Sequence, residues 1–174
     1  RSVNDFVIRT GRPADAAALH ALICRHQTEG HLLPRDFTDV ERHVAQFVVC
    51  EADGAIQACA ELAPLSTTVA EVRSLVVSSN FRRVGVAARL VGEVRRRAEA
   101  AGFDTLCAFT HDARFFVRQN FSIVPHLWLP GKIAKDCVGC SLFRHCSQHA
   151  MVLPLKKAAR YGSSPVERRR VAVA

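Results

Sequence analysis

A β-prone segment that runs straight into a long amphipathic helix through a loop bearing glycine and two arginines is the feature that most restricts the fold. Residues 69–78 read as a strand ending on Leu75, Val76 and Val77, and Ser79, Asn80, Phe81, Arg82, Arg83 and Val84 follow. Over residues 85–101, Val86, Leu90, Val94 and Ala98 recur every four positions among Arg89, Arg95, Arg96, Arg97 and Glu99. That spacing predicts a helix with one buried stripe, and Gly102 supplies its stop. Such a joint leaves the first helical amides without partners and turns the positive end of the dipole toward the loop, so it favours an anion. Small residues there let backbone N–H groups approach phosphate oxygens. No Gly-Lys-Ser/Thr follows, so the joint is not a Walker loop.

The flanking segments fit around this joint. Residues 6–9 predict a strand, and an Ala/Leu-rich helix runs to Arg25 with Pro13 at its start. Residues 31–35 read as a loop and 36–44 as a second helix capped by Asp36 or Thr38. Residues 47–51 and 55–65 flank Ala52-Asp53-Gly54, a hairpin signal. Residues 104–110, 121–124 and 150–155 are further strands, with a short helix at 112–119 and an insertion at 125–148. The order β-α-α-β-β-β-α-β-α-β-β implies a mixed sheet with helices on it.

Size and charge narrow the function classes. A chain of 174 residues makes one ordinary domain. It has no apolar run near the roughly 20 residues that span a bilayer, so no membrane partner is expected. Its net charge of +8 is concentrated in Lys156, Lys157, Arg160, Arg168, Arg169 and Arg170, so residues 156–174 read as a basic, solvated extension. Aromatic residues make up only 7%, too few for a base-stacking platform, so nucleic acid is not an expected partner. Seven Cys is an odd number, four of them (Cys24, Cys50, Cys59, Cys107) lie singly in apolar runs, and no signal peptide opens the chain. Reduced thiols in a cytoplasmic protein are the expectation.

The run Arg82-Arg83-Val84-Gly85-Val86-Ala87 resembles the Arg/Gln-x-x-Gly-x-Gly/Ala acetyl-CoA motif of the GCN5-related N-acetyltransferases (GNAT). Its place between strand and helix, after a hairpin and before a β-α-β end, matches that family. The resemblance implies an α/β (α+β) acyltransferase fold, a mixed, mostly antiparallel sheet flanked by helices, over residues 1–155, with a Cys-rich insertion at about 130–149 and the tail beyond. It implies that the backbone of Leu75, Val76 and Val77 lines the pantetheine arm of acetyl-CoA, and that Arg82, Arg83, Val84, Gly85, Val86 and Ala87 surround its pyrophosphate. The amine then attacks the thioester directly, and the departing thiolate is usually reprotonated by a Tyr at the start of the short helix. Here that neighbourhood reads Arg114-Phe115-Phe116-Val117, with Phe116 where the Tyr is usual; the sole Tyr, Tyr161, lies in the tail.

Three further segments are similar to the N-acetylglutamate synthase family: Leu32-Leu33-Pro34-Arg35, Glu71-Val72-Arg73-Ser74-Leu75, and Leu129-Pro130-Gly131-Lys132-Ile133-Ala134-Lys135-Asp136. This resemblance implies transfer of acetyl to the α-amine of L-glutamate, giving N-acetyl-L-glutamate, the first step of arginine biosynthesis. A dicarboxylate needs fixed cations, and an Arg fork binds carboxylate in bidentate fashion. Arg35 is therefore the expected ligand of the side-chain carboxylate. By the resemblance, the backbone of Leu33 and Ser74 holds the α-carboxylate, with Lys132 or Lys135 as a second cation. Glu71 is the candidate general base, directly or through water, and a bridge to Arg73 is its structural alternative. Thr110 is placed to hydrogen-bond the departing sulfur. The chain resembles the short synthases, without an amino-acid-kinase-like domain, and homodimers are common in this fold. Glutamine, another amino acid or a peptide amine are alternative acceptors; a zinc-containing nucleic-acid-binding module and an inactive binding domain are the readings from other classes.

Cys137, Cys140, Cys146 and His149 have ligand types and spacing that could hold a structural zinc, with His145 in reserve. Thiols that pack, or that oxidise, are the alternatives.

Overall fold

The computed structural model describes residues 6–27 and 34–155. Seven strands form one sheet: β1 (Val7–Thr10), β2 (Phe47–Ala52), β3 (Ala55–Pro64), β4 (Val69–Val77), β5 (Thr105–Thr110), β6 (Ser122–Val124) and β7 (His149–Pro154). The helices are α1 (Ala16–Gln27), α2 (Phe37–Arg42), α3 (Val86–Ala100) and α4 (Ala113–Arg118). The expected order of elements is therefore the observed one. The spatial order is β1-β2-β3-β4-β5-β7-β6. Only β4 and β5 pair in parallel; every other neighbour is antiparallel.

Period-2 alternation sends the side chains of the sheet to cores on its two faces. On β2, Val48 and Cys50 face one way, and the buried stripe of α3 (Val86, Leu90, Val94, Ala98) covers them. Phe47 and Val49 face the other way and meet Leu19, Leu22 and Ile23 of α1 with Val40 of α2. Residues 28–33, including Leu33, and residues 156–174 lie outside the described residues. Among the described residues no helix is long and apolar enough to cross a membrane.

The insertion is built from short turns: a 3-10 turn at His126–Trp128, a helical turn at Pro130–Lys132 that continues as a π turn over Ile133–Cys137, and a second 3-10 turn at Phe143–His145. The expectation of a zinc cluster is corrected here. Among the described residues no three His, Cys, Asp or Glu side chains come together to hold a metal ion. The reason lies in the strand pairing: His149 opens β7 opposite Thr110, which ties it to the sheet, while Cys146 is exposed on the loop.

Candidate active site

The fork between β4 and β5 makes the site. Their pairing is confined to Val69↔Thr105, Ala70↔Leu106 and Glu71↔Cys107, although β4 continues to Val77 and β5 to Thr110. Past Glu71 the strands part, and β4 keeps hydrogen-bond groups on that side without a strand partner. Across β4, the register with β3 slips between Cys59 and Glu61. This is a bulge of the kind that re-aims side chains next to sites, and Ser74 sits on it with φ +50°.

A cavity of about 860 Å³ opens at the fork, within the range usual for small-ligand sites. Glu71, Ser74, Leu75, Val76, Val77, Arg82, Ala87, Thr110, Arg35 and Lys132, all singled out from the sequence, line it together. Arg83, Val84, Gly85 and Val86 are not among its lining residues, and the Val86 side chain belongs to the core. Arg83 and Gly85 take φ +68° and +84°, turning the chain so that α3 begins beside the fork with its first amides lacking intrahelical partners.

Two ion networks flank the cavity. In the first, Glu71 is buried, with only 3% exposure. Its Oε1 accepts from Lys132 Nζ at 2.7 Å, and its Oε2 from Arg73 Nε and Nη2 at 3.1 and 2.8 Å. Lys132 Nζ reaches Asp136 at 2.8 Å, and Arg73 donates to the same Asp136 oxygen. Two carboxylates and two cations thus alternate in a closed ring. Burial alone would raise the Asp136 carboxyl, but the hydrogen bond and charge of Lys132 and the charge of Arg73 hold it below the usual carboxylate range.

The second network centres on Arg35. Its Nε donates to Asp39 at 2.7 Å and its Nη2 pairs with the same carboxylate at 2.6 Å. Its Nη1 donates to Glu61 at 2.6 Å and to the Ser74 hydroxyl at 3.0 Å, and Nη2 meets the other Glu61 oxygen at 3.5 Å. Asp39, Glu61 and Ser74 together thus hold the guanidinium. Burial opposes the charge, but the Glu61 and Asp39 bonds outweigh it and raise the Arg35 pKa.

At the floor, Thr110 Oγ1 accepts the Asp112 N–H at 3.0 Å, and Asp112 caps α4 by accepting the Phe115 N–H at 3.3 Å. Phe116 is buried against Phe115 and Phe121, so this position offers no hydroxyl. Sequence reasoning missed Asp136 as a ring member and Asp39 as a wall of the cavity. The i,i+4 spacing of Arg35 and Asp39 was the available signal for the latter.

The acetyltransferase (GNAT) family model matches residues 16–121. An uncharacterized N-acetyltransferase of Chlorobaculum tepidum is 29% identical over 151 residues, covering 87% of this chain and 97% of that protein. An amino-acid acetyltransferase of Azotobacter vinelandii is 33% identical over 116 residues, 66% of this chain; the match spans only 27% of that longer protein. Among solved structures, N-acetylglutamate synthase from Neisseria gonorrhoeae, complexed with coenzyme A and N-acetyl-glutamate, superposes with a TM-score of 0.78 at 25% identity, covering 87% of this chain and 35% of that one.

Proposed function

The chain belongs to the GNAT acetyltransferase family, and from that premise we propose that it transfers acetyl from acetyl-CoA to the α-amine of L-glutamate. At the coarser level it is an N-acetyltransferase, using acetyl-CoA and an amine. The observation that carries the finer reading is the cavity at the fork, where Arg35 stands on one wall and Lys132 and Lys135 on the insertion wall. The synthase-like architecture adds support. The pantetheine arm lies along the free side of β4, with the backbone of Leu75 to Val77 bonding it and the start of α3 facing the pyrophosphate.

The acceptor ammonium must lose a proton before attack. Three donors already occupy Glu71, leaving about one of its roughly four lone-pair sites. Through that site it orients a water that carries the proton away. Thr110 orients the departing thiolate, and water at the open cavity supplies its proton. The amine attacks the carbonyl, the C–S bond breaks, and no covalent enzyme intermediate is needed.

One observation favours a second acceptor, L-glutamine. The Arg35 guanidinium is already held by Glu61, Asp39 and Ser74, and Lys132 by Glu71 and Asp136. A neutral carboxamide needs no free cation.

The test is thiol release from acetyl-CoA with L-glutamate, L-glutamine, ornithine and a peptide amine offered separately, with the product identified by mass. Saturation by glutamate, lost in Arg35→Ala by at least about the tenfold that one charged contact supplies, is the expected result. Turnover with glutamine alone gives the second reading. Turnover only with ornithine or the peptide overturns both.

A further inference from the structure

Among the described residues two carboxylates are buried, Glu71 and Glu61, and the proposed reaction uses only Glu71. Glu61 lies on β3 at 2% exposure, where a charge is costly unless it is paired. Its partner is Arg35, through Nη1 at 2.6 Å and Nη2 at 3.5 Å. The same Nη1 donates to the Ser74 hydroxyl at 3.0 Å. The Cys59 thiol donates to the Ser74 carbonyl at 3.5 Å, and burial pushes that thiol up to about 12, so it remains a donor. Arg35 and Cys59 thus hold Ser74 directly, and Glu61 holds it through Arg35.

Ser74 needs to be held. Its φ of +50° lies where an L side chain stays only if its surroundings over-determine it. It falls inside the bulge: Glu61 pairs with Arg73 and Cys59 with Val76, so two steps along β3 match three along β4, and the extra residue is on β4. The cores record the consequence. Before the bulge, the even positions Ala70 and Val72 belong to the α3 core; after it, the odd positions Leu75 and Val77 pack there, and Val76 joins the α1 core. One inserted residue inverts the alternation of side chains, and with it the set of residues whose N–H and C=O face the fork.

We propose that the buried Glu61–Arg35 pair is a positioning device that clamps Ser74 at positive φ and thereby sets which β4 backbone groups meet the thioester end of acetyl-CoA. Glu61 is not among the residues lining the cavity. It acts through Arg35, whose guanidinium it holds against Ser74. In placing acetyl-CoA along β4, the clamp rests on the reaction proposed above; the identity of the acceptor does not enter it.

The link to the chemistry is the direction of the backbone. Released from the clamp, Ser74 relaxes toward extended φ, the extra residue no longer fits the bulge, and the amides of residues 74–77 turn away from the fork. A displacement of about 1 Å at the reacting centre costs on the order of a hundredfold in rate. No acceptor contact takes part in this step, so the loss falls on kcat with any amine and not on the acceptor KM.

Ser74→Gly supplies the test, because glycine takes positive φ without being held. The full chain is prepared as Glu61→Gln and as Arg35→Lys, each with and without Ser74→Gly; Arg35→Lys keeps a cation against Glu61 and loses the second nitrogen needed to reach Ser74 as well. In both single variants kcat should fall about tenfold or more with whichever amine is turned over, and the same changes made in the Ser74→Gly protein should cost at most about twofold. Hydrogen exchange gives a reading independent of any acceptor: the amides of residues 74–77 exchange faster in Glu61→Gln than in the parent, and Ser74→Gly removes that difference. Equal kcat losses in both backgrounds, a loss confined to the acceptor KM, or unchanged exchange at 74–77 overturns the clamp. A Glu61→Gln chain that folds only together with Ser74→Gly supports it, and one that folds in neither background leaves the decision to Arg35→Lys. An enzyme idle with every amine overturns the proposed reaction, and the exchange comparison still decides the clamp.

Discussion

At the scale of single residues, the chemistry of the site is a matter of who neutralises whom. Glu71, with its bridge to Arg73, and Arg35 were legible because their types and neighbours matched a recognisable pattern, but their distant partners were not. Glu61 sits 26 positions from Arg35 and Asp136 63 positions from Arg73, and nothing local to either residue encodes such pairings. The ring makes Asp136 a positioning residue whose weight can be measured. In Asp136→Asn, Lys132 and Arg73 share only Glu71, and stability at neutral pH should fall by on the order of 1.5–3 kcal/mol, the contribution of a hydrogen bond to a charged group. The sign with pH follows from the depressed carboxyl. The stabilisation is complete above the unfolded value near 3.9 and disappears as pH falls through the lower folded value. Urea midpoints should therefore differ between Asp136→Asn and the parent at pH 7 and converge progressively below about pH 4. A gap that stays constant to pH 3 would show that the Asp136 charge is not what the ring uses.

Among the elements, the fork and the start of α3, proposed above to hold acetyl-CoA, differed in legibility. The amphipathic stripe of α3 recurs over several turns, so it could be read directly; the observed helix, Val86–Ala100, begins one residue after the expected start. The parting of β4 from β5 could not, because it depends on register across a parallel pair joined through α3. The insertion resisted for a different reason: its turns are three to five residues long, too short for any periodicity to show. Gly85 tests the α3 end. No heavy atom lies within 4 Å of where its Cβ would be, yet φ is +84°. The cost of Gly85→Ala is thus conformational, about 1–3 kcal/mol, or relaxation of the turn that aims the first amides. Calorimetric binding of coenzyme A should weaken about tenfold or more while the acceptor KM moves little. Unchanged affinity would place the pyrophosphate away from this turn.

Across the whole molecule, the sheet is two blocks joined next to the site. β1 to β4 pair continuously, as do β5, β7 and β6, but the blocks meet along the sheet through the three registered pairs at Val69, Ala70 and Glu71 and the Thr68 carbonyl beside them. Side-chain packing of α3 and of the shared core spans the gap. A pantetheine arm bonded along residues 72–77 would occupy the free side of β4 and add contacts to both blocks, so coenzyme A should stabilise the fold as well as occupy it. A ligand that binds only the folded state at one hundred times its dissociation constant contributes about 2.7 kcal/mol. For a chain of this size each kcal/mol moves the melting temperature by about 2–4 °C, so saturation should raise Tm by about 5–11 °C. Position matters as much as magnitude. If the arm lies in the fork, the amides of residues 72–77 gain hydrogen-exchange protection along with the rise in Tm, whereas an anion held only on the arginine-rich face of α3 would raise Tm and leave those amides exchanging as before. The second pattern would move the acetyl-CoA site out of the fork and leave the cavity to the acceptor alone.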